Sequence, residues 1–268
     1  MAGAVVAIAI AVAVFVGLSR RGRDEGARCG PGFEASGARC LAPEPCPSPL
    51  VDTERGCDAP VVKVAISGGA IQVGPSDWEA EGRVAARSIR VQSFQVDAFE
   101  VTRGQMAAAL STPGISGDLA RAASRVTVAE AQAFCHGRGG RLPTEDEWIV
   151  AAVSTMNPPR RYPWGDTGAV CRRAAWGLSD GPCAHGADGP DTVGAHPDGD
   201  TALKVHDMAG NVAEWVTTGP TEGTTTGAVA KGGSWATSLA ADLRIWARLE
   251  LPDGARDPRV GFRCVYVP

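Results

Sequence analysis

Three observations predict an α+β fold for the larger part of this chain. Period-two alternation marks strands early on, clearly capped helix starts fall in the middle, and short apolar pieces between glycine-rich loops return at the end. The 34 glycines and 19 prolines among 268 residues add that the body is rich in loops rather than a helical bundle. Hydrophobic content of 44% with 21% charged residues suits a globular core, and a net charge of −4 offers no basic stripe for nucleic acid. No segment of roughly 20–50 residues repeats, so a solenoid or propeller is not indicated.

The chain opens on an uncharged run from Ala2 to Leu18, followed by Arg20, Arg21 and Arg23. As a helix it would span roughly 25 Å at about 1.5 Å per residue, near the lower limit for crossing a bilayer. A basic n-region is missing and Val16-Gly-Leu-Ser-Arg20 is a poor cleavage site. An uncleaved membrane anchor over residues 1–19 is therefore expected in preference to a cleaved signal peptide. The arginines alone would leave the body in the cytoplasm by the positive-inside rule.

The cysteines argue for the other side. Of eight in the chain, Cys29, Cys40, Cys46 and Cys57 sit among Pro31, Pro43, Pro45, Pro47 and Pro49. Their equal outer intervals read as two closed loops, Cys29–Cys40 and Cys46–Cys57. Residues 20–60 carry too few apolar side chains to fold on a core, so disulfides would hold this linker. Zinc is the rival reading, but structural zinc sites use cysteine pairs about two to four residues apart, and no pair here is so close. The body is accordingly expected outside the cytoplasm, periplasmic or at the cell surface.

From Val61 a globular domain over residues 61–268 is predicted. Val61–Ile66 and Ser88–Val96 alternate apolar and polar residues, as half-buried strands do. Thr127-Val-Ala-Glu130 and Thr144-Glu-Asp-Glu147 are capping boxes, and Pro143 keeps the approach to the second one extended. Ala228–Lys231, Leu243–Leu249 and Gly261–Val267 supply the closing apolar pieces.

Several motifs then carry a resemblance. His206-Asp-Met-Ala-Gly-Asn-Val-Ala-Glu-Trp215 follows Arg141-Leu-Pro-Thr-Glu-Asp-Glu-Trp148 and Tyr162-Pro-Trp-Gly-Asp166, and precedes Lys231-Gly-Gly-Ser-Trp235 and Gly261-Phe-Arg-Cys264. In this order they resemble the formylglycine-generating enzyme, or sulfatase-modifying factor, domain. Gly68–Gly74 resembles its first strand and turn, Phe99–Thr102 the segment opening its first helix, and Val126–Cys135 the helix before RLPTEDEW; the stretch from Met106 to Ser124 is short for the family. The resemblance implies the family's variant of the C-type-lectin-like fold. It also implies a disulfide between Cys135 and Cys264; Cys171 and Cys183, which precede the Asp207-Met-Ala-Gly-Asn211 motif, read as a loop disulfide. Finally it implies a structural calcium on Asp207, the carbonyls of Gly210 and Val212, and Glu214, because calcium wants hard oxygens. A second family calcium site, after YPWG, is degraded, its expected Asn falling near Ala174.

The chemistry departs from the family. Its oxidases bind copper through two cysteines after GGS(W/Y) and convert a substrate cysteine to an aldehyde; those positions are Thr237 and Asp242 here. A hydroxyl and a carboxylate are hard ligands and do not hold Cu(I) as thiolates do, so copper is not expected. The Trp usual before the Glu of GNxWEW is Ala213. The three-histidine iron of relatives acting in thiohistidine synthesis needs an HxxxHxE spacing that is missing. Ser234 has no identifiable His–acid partner and reads as a turn residue. Ser234, Thr237, Asp242 and Arg244 form a candidate polar pocket, although Asp242 with Arg244 or Arg248 also reads as a surface pair. Two classes follow: a membrane-anchored, non-catalytic module binding a peptide or glycan, and a formylglycine-generating oxidase with a displaced metal site, for which Cys171 and Cys183 are the cysteines at hand.

Overall fold

A computed structural model describes residues 34–36, 39–41, 45–75, 82, 84–110, 118–154, 160–218, 228–252 and 254–268. The anchor expected over 1–19 and the Cys29–Cys40 pairing lie outside the described residues. Among the described residues no helix is long and apolar enough to cross a membrane. The chain divides into two compact units, residues 1–45 and 46–268. In the first, β1 (Glu34–Ser36) and β2 (Arg39–Leu41) pair as an antiparallel hairpin.

The second unit takes in residues 46–60 of the expected linker. Cys46 and Cys57 are bridged with Cα atoms 5.5 Å apart, beside the hairpin of β3 (Val51–Thr53) and β4 (Gly56–Asp58). Asp52 lies against the two sulfurs, yet sulfurs bonded to each other offer a metal no thiolate. Asp58 and Ala59 are buried, the latter in an apolar cluster with Phe99, Ala122 and Val193. Residues 46–60 thus lie in the same compact unit as the body.

The body's first strands are β5 (Lys63–Ile66), β6 (Gly69–Val73), β7 (Arg87–Val91) and β8 (Phe94–Asp97). The expected single strand over 88–96 is two strands in different sheets. Its buried residues are Ile89, Val91, Phe94 and Val96, and the step from Val91 to Phe94 breaks the period of two. At the break Ser93 turns its hydroxyl to the Gly68 N–H at 3.0 Å. Consequently β7 pairs with β6 as an isolated hairpin, while β8 joins β5.

Among the described residues three short helices follow, α1 (Arg103–Ala109), α2 (Val128–Gly137) and α3 (Glu145–Val153). Both predicted capping boxes form: Thr127 and Thr144 accept from the N–H groups of Glu130 and Glu147, whose carboxylates return to the cap N–H groups. Thr102 caps α1 by accepting from Gln105 at 3.1 Å. Every residue of α3 from Glu147 to Val153 is buried, so the helix is enclosed by the core rather than laid on it.

The C-terminal third gives β9 (Ala213–Val216), β10 (Ala228–Lys231), β11 (Leu249–Leu251), β12 (Val260–Gly261) and β13 (Val265–Tyr266). One sheet runs β11-β10-β9-β12, with β12 parallel to β9, and a second runs β13-β8-β5. Leu243–Leu249, expected as strand, instead leaves a 3-10 turn over Ala240–Leu243 and becomes extended pairing only at Leu249. Cys135, in α2, is bridged to Cys264 with Cα atoms 5.4 Å apart, both residues fully buried. Cys171 and Cys183 close a third bridge. Three bridges place this body in an oxidising, extracytoplasmic or secreted setting.

Candidate functional site

The loop feeding β9 turns sharply because Asp207, Gly210 and Asn211 all take left-handed backbone, with φ of 56, 91 and 55°. At Gly210 a Cβ would lie 2.5 Å from the Ala175 carbonyl oxygen, so glycine is required there. The loop buries an acidic group. Glu214 accepts from Arg263 Nε at 2.8 Å and Nη2 at 2.7 Å, and from the Trp148 indole at 2.8 Å. Glu100 accepts from Asn211 Nδ2 at 2.5 Å and from the Val212 N–H at 3.1 Å. Asp207 accepts from the Gly194 N–H at 2.6 Å.

Three buried carboxylates therefore share one buried guanidinium. Burial pushes the Glu100 carboxyl well up, and repulsion from Asp207 and Glu214 pushes it further. Burial also raises Asp207, against the pull of the Gly194 N–H, His196 and Arg263. A surplus of buried negative charge is what a divalent cation would offset, so the donor chemistry of Asp207 and Glu214 suits calcium. Their disposition is less convergent. Both oxygens of Glu214 face Arg263, and among the described residues Glu100, Asp207 and Glu214 do not bring three ligand atoms within 4.8 Å of one another. Ala174, at the degraded second site, is buried among Tyr162, Trp176 and Leu243 and presents no oxygen from its side chain.

On the Gly-Gly-Ser-Trp turn, Thr237 Oγ1 accepts from the Ser234 N–H at 2.9 Å and lies 3.4 Å from Ser234 Oγ. The two hydroxyls thus close a local turn, and among the described residues neither a histidine nor a carboxylate bonds to Ser234. Asp242 is exposed on its 3-10 turn, whereas Arg244 is buried with its guanidinium 5.8 Å from the Trp246 ring centre. A hydroxyl bound to a backbone N–H and a carboxylate in water do not fit Cu(I). These four residues line neither of the two clefts described next.

The smaller cleft, about 400 Å³, lies between α1 and the 121–126 segment, with Pro190 and Pro258 opposite. It adjoins the Gly-Gly-Ser-Trp turn, since the Trp235 indole donates to the Pro258 carbonyl at 3.1 Å. Met106 and the exposed Leu110 give it an apolar wall. The larger cleft, about 830 Å³, is bounded by β7, the first turn of α3 and residues 245–248. At its floor Lys231 is buried, donating to Ala247 O at 3.0 Å and Glu145 at 3.3 Å; burial lowers its ammonium to about 8. Sequence reasoning missed this cleft because its residues come from several distant segments with no local spacing to mark them.

Set beside known proteins, the chain is 33% identical to inactive C-alpha-formylglycine-generating enzyme 2 of Bos taurus over 143 residues, 50% of this chain and 46% of that protein. It is 34% identical to hercynine oxygenase of Mycolicibacterium smegmatis over 147 residues, 45% of this chain and 32% of that protein. The chain thus spans about half or less of these curated relatives. Among solved structures, Treponema denticola variable protein 1 matches with a TM-score of 0.63 at 19% identity, over 77% of this chain and 95% of that one. PvdO from Pseudomonas aeruginosa matches with a TM-score of 0.62 at 19% identity, over 83% and 99%. At such identity the likeness shows the fold, a loop-rich, C-type-lectin-like α+β architecture. With the sulfatase-modifying factor enzyme 1-like domain matched over residues 52–267, the chain belongs to the formylglycine-generating enzyme and sulfatase-modifying factor family.

Proposed function

We propose that this domain is a non-catalytic member of its family, held outside the cytoplasm by an N-terminal anchor, that binds a peptide or glycan. The observation that carries the reading is the replacement of both copper-binding cysteines by Thr237, whose hydroxyl is spent on the Ser234 N–H, and by the exposed Asp242. The rival oxidase would need thiolates from elsewhere. Cys171 and Cys183 are bonded to each other, and no cysteine is free among the described residues, which favours the non-catalytic reading. The relative in Bos taurus is itself described as inactive, in keeping with loss of chemistry on this scaffold. The smaller cleft beside the Gly-Gly-Ser-Trp turn, with Met106 and Leu110 on its wall, is the seat we assign to the ligand.

A structural calcium held by Asp207, Glu214 and the carbonyls of Gly210 and Val212 belongs to the same proposal, supported by the surplus of buried carboxylates over guanidinium. It would stiffen the loop and supply no chemistry. The proposal is tested by competing the protein, its native disulfides intact and any engineered cysteines kept as thiols, against a chromophoric Cu(I) chelator. The wild type should remove no copper, and Thr237→Cys with Asp242→Cys should gain the ability. Copper uptake by the wild type would return the oxidase reading.

A further inference from the structure

We infer that the larger cleft is a second binding seat, independent of the one beside the Gly-Gly-Ser-Trp turn, and that it takes an extended acidic peptide with alternating apolar residues. Its volume of about 830 Å³ falls in the range of ligand clefts, roughly 300–1,000 Å³. Val73, Val91, Phe94, Ile149 and Ile245 make it apolar within, and cationic side chains dominate its walls and rim.

The charge has a definite sign. Three carboxylates line the cleft, and each is already engaged: Asp146 by Arg87 at 2.6 Å, Glu147 by Arg141 at 2.6 Å, and Glu145 by Lys231 at 3.3 Å and Arg248 at 3.5 Å. Two further arginines remain. Arg160, exposed at the mouth, pairs with Asp166 outside the lining, and the exposed Arg90 has no ion pair among the described residues. The cleft is therefore locally positive on a chain whose net charge is −4, and only an anionic ligand gains from that contrast.

A peptide fits better than a glycan. Two aromatic residues line the cleft; Phe94 is buried in the core, and Trp246 has the Arg244 guanidinium 5.8 Å from its ring centre. Meanwhile, among the described residues, β7 has β6 as its sole strand partner and no strand on its other edge, while Arg90 to Phe94 line the cleft. A strand edge reads peptide backbone, with alternate side chains directed to opposite faces. In an acidic–apolar alternation one face would meet the apolar floor and the other the arginines.

The test uses the full chain and fluorescein-labelled hexapeptides of alternating Glu and Val, Gln and Val, and Lys and Val, with a sulfated disaccharide as the non-peptide anion. Anisotropy should show the Glu–Val peptide binding best, with affinity falling as salt rises. The Arg90→Glu and Arg160→Glu pair should weaken it by about tenfold or more, while Lys204→Glu, outside the cleft, should not. Both target arginines are exposed, so unchanged melting will confirm that the fold survives. Equal binding of the Gln–Val peptide, or an unaffected double variant, overturns the inference. So does tighter binding of the disaccharide. Loss on Arg103→Glu alone would place the acidic ligand in the smaller cleft, overturning this inference while leaving the non-catalytic reading intact.

Discussion

Replacing Arg263 by Met should be among the most damaging single changes in the domain. The guanidinium is fully buried and donates to both oxygens of Glu214, to the carbonyls of Asp97 and Ala98 at 3.1 Å, and to that of His206 at 2.7 Å. Removing one partner of a buried ion pair costs about 3–5 kcal/mol, and each abandoned carbonyl adds to it, against a total stability of roughly 5–15 kcal/mol for a domain. Arg259→Met, whose exposed partner pair with Asp257 is local, should cost under about 1 kcal/mol. The deficit should also depend on pH. Arg263 holds the Glu100 and Asp207 carboxyls down against their burial, so its loss raises both further in the folded state. A raised folded value means stability that is present below the ordinary carboxylate range and lost as pH rises through the raised value. Urea midpoints followed by tryptophan fluorescence in EDTA should therefore show a deficit that is large at pH 8 and smaller at pH 5. A deficit below about 1 kcal/mol, or one independent of pH, would refute the view that this guanidinium neutralises the cluster.

Replacing both Cys135 and Cys264 by Ala opens a loop with a sequence separation of 129; loop-closure entropy puts the loss at about 5 kcal/mol, read as a fall in the denaturant midpoint. Peptide mapping without reduction should recover these two cysteines linked, and recovery as free thiols would contradict the structure. Lys231→Met tests the buried ammonium, whose value falls from 10.5 to about 8. A depressed folded value in a base means stability present above 10.5 and lost as pH falls through about 8, so the wild type should gain on the variant by up to about 3 kcal/mol between those limits. A gap that stays constant over that range would remove the buried-ammonium argument. Calcium should raise the wild-type melting temperature by mass action and leave Glu214→Gln nearly unchanged; melting indifferent to EDTA would mean that Arg263 alone neutralises the loop.

What the sequence disclosed and what it withheld divide along physical lines. The capping boxes at Thr127 and Thr144 were legible because three neighbouring residues decide them. The α+β class followed from alternation, caps and closing apolar pieces, whereas the lectin-like fold and the Cys135–Cys264 bridge followed from the resemblance that the widely spaced motifs carry. The strand predicted over 88–96 failed because two polar residues, Gln92 and Ser93, stand between Val91 and Phe94 and break the period of two; the alternation on either side concealed that the two halves pair in different sheets. Ser234, Thr237, Asp242 and Arg244, read from the sequence as a polar pocket, line neither of the two clefts described; Thr237 turns back on Ser234 and Arg244 is buried near Trp246. Glu100 and Arg263, far apart in the chain, belong to one buried charge cluster, and the larger cleft gathers arginines from unrelated segments. No spacing in the chain announces either.

The central claim is that this scaffold has lost oxidase chemistry, and one assay addresses it directly. Purified protein is given Cu(I), oxygen and a CxPxR peptide of the sulfatase type, and aldehyde is trapped with a hydrazide and read by mass. With Thr237 and Asp242 in place of the two cysteines, the account predicts no trapped product from the wild type. Copper-dependent aldehyde formation by the wild type would contradict it.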